Sequence, residues 1–154
     1  VPGRNRTAVC GGGMMFWDNK VVTLFNRAFD PKTEEEKYYL TVLEKADLVE
    51  KNSVTASKSG QDKAAAVTLY MSYQNLPKPY KDPKEWELFS AKEKERYLTF
   101  SPEKDFFVKG NCTGATLPDS RVYEYFRDHY YGTYRITSVD SYEDILPHFE
   151  IGGK

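Results

Sequence analysis

One acid in this chain stands among apolar neighbours. In Val122-Tyr123-Glu124-Tyr125-Phe126, strand alternation puts Glu124 on the same side as Val122 and Phe126. A carboxylate turned into an aromatic, low-dielectric interior takes up a proton or costs several kcal/mol unless a cation meets it. A small cationic ligand supplies that charge, and Tyr, Trp or Phe rings each add about 0.5–2 kcal/mol of cation–π attraction. The opposite facing, with Tyr123 and Tyr125 inward and Glu124 in water, fits the same alternation. Asp47 ends a β-rich run and Asp105 precedes Phe106-Phe107-Val108. Each is either a second pocket acid or a strand-end carboxylate on the rim. Trp86, alternating with charges in Glu85-Trp86-Glu87-Leu88, is expected to face inward as core or cavity wall.

Catalysis finds little support. The sequence holds no Gly-x-Ser-x-Gly elbow, P-loop, Gly-x-Gly-x-x-Gly or His-Glu-x-x-His motif. His129 and His148 lie in polar segments and read as surface residues. Glu34-Glu35-Glu36 and Glu143-Asp144 are carboxylate groups whose solvation needs no chemistry to explain it. No enzyme, cofactor or metal is expected, since Cys-x-x-Cys and His-x-x-x-His spacings are absent.

The 154 residues suffice for one domain, and the expectation is a single domain over 1–154 with an irregular arm at 1–13. With 22 Lys plus Arg against 23 Asp plus Glu, the net charge of -1 gives little pull toward nucleic acid or an anionic membrane. No run approaches the ~18 apolar residues of a membrane span. The excess is aromatic: 12 Tyr, 9 Phe and 2 Trp, which suit pleated, half-buried surfaces or a lined cavity. Sequons at Asn5 and Asn111 and a cysteine pair, Cys10 and Cys112, point to a secreted chain from which a leader has been removed. A Cys10–Cys112 bridge would close a loop of about 100 residues, worth up to ~4.7 kcal/mol in the chain-entropy model. Two buried free thiols in a cytosolic protein are the alternative.

The elements that must position these residues read as follows. Trp17, Val21, Leu24, Phe25 and Ala28 recur at helical spacing, which predicts a helix over Met14–Phe29, ended by Asp30-Pro31. Strands are expected at Tyr38–Lys45, Ser53–Lys58 and Ala64–Gln74, the last with Val67, Leu69, Met71 and Tyr73 on one face. A proline-rich loop spans Leu76–Pro83. Further strands are expected at Glu85–Ser90, Arg96–Phe100, Asp105–Lys109, Arg121–Arg127 and Tyr131–Ser138. Asp140 or Ser141 would cap a short final helix carrying Tyr142, Ile145 and Leu146. The fold class is therefore mainly β, a barrel or a sandwich. Helix, strands in series, then helix favours an eight-stranded antiparallel up-and-down barrel with plugged ends, wide enough inside for one small ligand.

The chain resembles the tick salivary lipocalins of the histamine-binding type. The likeness runs through Tyr38-Tyr39-Leu40, Ser53-Val54-Thr55-Ala56, Leu69-Tyr70, Trp86, Phe106-Phe107-Val108 with Asn111-Cys112, and Tyr123-Glu124, with Trp17 before the first strand, over roughly residues 14–127. The resemblance implies a secreted, non-enzymatic barrel that sequesters a biogenic amine such as histamine or serotonin. Glu124 would anchor the ammonium, Asp47 would assist, and Trp86 and Tyr39 would enclose the ring. Departures are visible: no cysteine follows Cys112, the tryptophan often found after the first-strand acid is absent near Val49, and the tail is short. Two other readings stay open. One is a lipid carrier (fatty acid or leukotriene) with Arg135 or tyrosines meeting a carboxylate. The other is a protein with a filled core that acts on a host protein through surface tyrosines. A monomer is expected.

Overall fold

A computed structural model describes residues 8–11, 19–50 and 66–154. Its β-strands are β1 (Val22–Asp30), β2 (Glu35–Leu43), β3 (Asp47–Glu50), β4 (Val67–Ser72), β5 (Phe106–Lys109), β6 (Thr133–Tyr142) and β7 (His148–Gly153). The helices are α1 (Pro83–Glu87), α2 (Ala91–Arg96) and α3 (Val122–His129), with a short 3-10 turn at Tyr73–Asn75. The fold is mainly β. All seven strands pair antiparallel in the order β2-β1-β5-β6-β7-β4-β3.

Among the described residues the sheet has seven strands and is not closed, which corrects the expected eight-stranded barrel. Its edges, β2 and β3, share no ladder. The Ala46 and Leu48 N–H groups do donate to the Lys20 and Asn19 carbonyls, drawing the turn after β2 over the segment that precedes β1. The expected strand at 53–58 lies outside the described residues, as do residues 14–18 of the expected first helix.

The rest of that first helix is strand β1. Leu24, Phe25 and Ala28 of the helical spacing fall in this strand, whose residues 22–26 are buried on both faces, so two-sided burial hides the alternation. One face of the sheet holds Val22, Leu24, Leu43, Leu48, Leu69, Met71, Phe107, Ile136, Phe149 and Ile151 in one core, with Leu98 and Phe100 from the passing chain. The other face of β1 and β5 presents Phe25, Phe106 and Val108 to α3.

Helix α3 replaces the strand expected at Arg121–Arg127. Val122 and Phe126, four apart, share a side under either period, and here they are the buried stripe of a helix. Phe25 stacks on Phe106 at 4.4 Å and meets Phe126 at 5.0 Å. The Cys10–Cys112 disulfide, spanning 102 residues, belongs to this second core. Gly110 makes that approach possible: its φ is +91°, and a Cβ there would lie 2.4 Å from the Cys10 carbonyl oxygen.

The strand expected at Glu85–Ser90 gives way to α1 and the turn before α2, while the one expected at Arg96–Phe100 is reduced to an isolated bridge of Leu98 with Tyr80 after α2 ends. Asp82 accepts from the Lys84 N–H ahead of Pro83, and Ser90 with Glu93 forms a capping box. At the C-terminus the expected helix is the end of β6 and a tight turn. Ile145 and Leu146 are 85% and 80% exposed there, so they have no core to pay for a helix turn.

One buried polar knot ties β1 to the passage that leads into β5. Asp105 accepts from Asn26 Nδ2 at 2.8 Å, the Arg27 N–H at 2.9 Å and the Ser101 N–H at 2.9 Å. Asn26 Nδ2 also donates to the Thr99 carbonyl at 2.7 Å. Asp105 is thus neither a pocket acid nor a rim residue but an internal staple. Burial pushes its pKa up to about 7, against the pull of the Arg27, Asn26 and Ser101 donors. The native chain therefore keeps a proton that an unfolded chain releases near pH ~4. Stability from this site is full below about pH 4 and is lost as pH rises through about 7. Urea titrations are expected to show that fall in the wild-type protein and its absence in Asp105→Asn, which keeps an acceptor without titrating. Asp105→Ala strands two backbone N–H groups and is expected to cost about 3 kcal/mol.

Candidate functional site

The sequence-predicted residues fall in three places. Glu124 lies in the first turn of α3, half-buried, on the outside of the sheet. It lines an open pocket of about 670 Å³ with Phe29, Glu34, Glu35, Glu36, Asp119 and Arg121. This corrects the expectation of an inward strand position, because the alternation that suggested it belongs to a helix. The one aromatic ring in that pocket, Phe29, already carries the Arg27 guanidinium 5.4 Å from its centroid.

Trp86 and Tyr39 are brought together, but on each other. Trp86 is buried on α1 and meets Tyr39 of β2 edge-on at 5.8 Å, and its indole N–H donates to the Tyr97 carbonyl at 3.2 Å. The ammonium of Lys94 lies 5.3 Å from the Trp86 ring and that of Lys37 lies 5.0 Å from Tyr39. These rings are core closed by the chain's own cations.

Asp47 is set apart from Glu124, in a different pocket. It opens β3, exposed, with Lys20 Nζ at 3.9 Å. In the sheet register it stands opposite Tyr70, which stands opposite Glu150, which stands opposite Asp140. Outward-facing residues of four strands therefore form a row of three carboxylates and one phenol. The next row pairs Ser72 with His148 and His148 with Tyr142. An open pocket of about 610 Å³ lies at the end of these rows, lined by Lys45, Asp47, Tyr70, Met71, Ser72, Tyr73, Leu146, Pro147 and His148. A second open pocket of about 520 Å³ adjoins it across Tyr73, whose hydroxyl bonds to Ser141.

His148, read from the sequence as a surface residue, lines the first of these open pockets. Its Nδ1 lies 2.8 Å from the Leu146 carbonyl and its Nε2 3.0 Å from Glu150 Oε2. These bonds, Glu150 foremost, raise its pKa above the ordinary value. Tyr142 stacks on the imidazole at 5.1 Å. The available signal was Tyr70 on the outward face of an alternating strand, a position that turns an aromatic ring toward solvent.

Arg135 is half-buried on β6, its guanidinium 4.0 Å from the Tyr123 ring of α3 and its Nε buried without a hydrogen-bond partner. Asn111 is exposed, its Oδ1 accepting from the Thr113 N–H and hydroxyl. Asn5 lies outside the described residues. Among the described residues, no group of three or more His, Cys, Asp or Glu could hold a metal ion, and no helix is long and apolar enough to cross a membrane.

Fold and site together define an antiparallel β-sheet protein with an interior packed by its own side chains and pockets on its surface. The chain belongs to a family of unknown function (DUF6751), which it matches over residues 16–154. No curated protein and no solved structure matches it. Because Trp86 is core, Trp86→Ala is expected to cost about 3–5 kcal/mol in urea unfolding. A loss below about 1 kcal/mol would return Trp86 to the role of a pocket wall.

Proposed function

We propose that the chain is a secreted, non-enzymatic binding protein for a small biogenic amine, taken at the Asp47 pocket. The observation that carries this reading is the carboxylate of Asp47 facing Tyr70 at the mouth of a pocket walled by Met71, Tyr73, Leu146 and Pro147. A pocket of this size falls in the range of small-molecule sites, which combine apolar walls with a few placed polar groups. The ammonium would displace the Lys20 contact to Asp47, which at 3.9 Å between two exposed groups is worth little. The ring of the amine would lie against Tyr70 and Tyr73. Glu150 and Asp140, in the same row as Asp47, add negative potential behind it. The ligand class is that of the histamine-binding lipocalins that the sequence resembles, with the anchor moved from Glu124 to Asp47. A long-range disulfide and an exposed sequon at Asn111 support an oxidising, extracellular setting.

Calorimetric titration with histamine and serotonin tests the proposal. Asp47→Asn removes the charge and is expected to weaken amine binding about tenfold or more. Glu124→Gln is expected to bind as the wild type does. Retained affinity in Asp47→Asn, or loss confined to Glu124→Gln, overturns the assignment. Binding of a fatty acid in place of both amines would instead favour a lipid ligand, with Lys45 as its counter-charge.

A further inference from the structure

The hydrogen bonds of His148 have a requirement of their own. A backbone carbonyl only accepts, and so does an ionised carboxylate. Both contacts, to Leu146 and to Glu150, form together only when both ring nitrogens carry hydrogen. A neutral imidazole must release one of them, and since the charged Glu150 carboxylate is the stronger acceptor and holds the remaining hydrogen at Nε2, the contact released is the one to Leu146.

What the Leu146 contact holds is an uncommon backbone. Leu146 has φ +56°, in the left-handed region that residues other than glycine, asparagine and aspartate avoid, and its side chain has little packing to keep it there. Its carbonyl is fixed by the imidazole. The next carbonyl, of Pro147, accepts from the Tyr73 N–H at 3.1 Å and so joins the turn to the pocket wall opposite.

The charges around His148 all bear on its proton. On β7 it meets Glu150, and across from that on β6 stand Asp140 and the stacked Tyr142. Glu143 and Asp144 belong to the turn itself. On β4 the ring of Tyr70 lies 6.5 Å away, with Asp47 beyond it on β3 and Lys45 the cation lining the pocket. Carboxylates outnumber cations in this set, which favours the imidazolium.

We propose that His148 makes the β6–β7 turn a pH-set wall of the Asp47 pocket: the imidazolium locks Leu146 in place, and loss of its proton releases it. The pocket is then complete on the acid side and loosens as pH rises. The turn switch stands on the His148 contacts alone; its effect on a ligand rests on the proposed amine site.

Proton–nitrogen NMR of the full chain between about pH 5.5 and 9 reads the switch directly. The amides of Ile145 and Leu146 are expected to titrate with the midpoint of the His148 ring, and Glu150→Gln to lower that midpoint. His148→Phe, which keeps a ring against Tyr142, is expected to abolish their response. Turn amides that stay still while the His148 ring titrates overturn the proposal.

Serotonin affinity is the second arm. It is expected to fall about three- to tenfold from the acid to the alkaline side of the midpoint as contact with Leu146 is lost. A neutral His148 leaves Glu150 unbalanced, so charge alone would raise the affinity of a cation, and a fall therefore reports the wall. Affinity that is flat or rises overturns the wall. Titrating amides with neither histamine nor serotonin bound at either end uphold the switch and sink the amine site.

Discussion

Three donors converge on one buried carboxylate, and much of the chain's path follows from that. Asp105 draws on Asn26 and Arg27 of β1 and on Ser101, so the first strand and the passage into the fifth are fixed by one group. Unpartnered, a buried carboxylate would be a liability of several kcal/mol. With three N–H groups on it and Asn26 reaching on to Thr99, it ties residues 99–105 to β1. Leu98 and Phe100 enter the core from that passage, and Tyr80 stacks against Phe100. The interior is therefore filled by a strand-like passage and by the α1–Tyr39 plug.

The second constraint acts on the opposite face. A strand pair buried on both sides needs a cover, and α3 supplies it, with Phe126 and Tyr123 over Phe25 and Phe106. Thr23 links the two faces: its hydroxyl donates to the Gly110 carbonyl and accepts from the Cys112 N–H. Both faces of β1 and β5 are occupied, whereas at the other end of the sheet β3, β4 and β7 expose alternate residues. Tyr70 and His148 stand there because period-two alternation must put some side chains outside.

The sequence was legible where one face is buried and the other is wet. The run Val67, Leu69, Met71 with outward Tyr70 reads correctly as β4, and Asp105–Lys109 and Tyr131–Ser138 hold β5 and most of β6. The cysteine pair was legible too. Where burial is two-sided, as in β1, spacing alone imitates a helix. Where apolar residues fall four apart, as Val122 and Phe126 do, both periods fit, and Glu124 was misplaced with them. The caps at Asp82-Pro83 and Ser90-x-x-Glu93 carried the helix signal that alternation around Trp86 concealed. Asp47 was legible as an acid at the end of a β-rich run. Its company was not, since Tyr70 and His148 reach it only through the register of β3, β4 and β7.

The covalent clasp between positions 10 and 112 has a topological consequence for proteolysis. Everything between those positions, all of β1 to β5 included, is the interior of a ring. A protease that cuts the main chain once anywhere inside that ring produces no separable fragments. Both halves stay on one molecule, with α3 still tethered over the sheet, until a reductant opens the clasp.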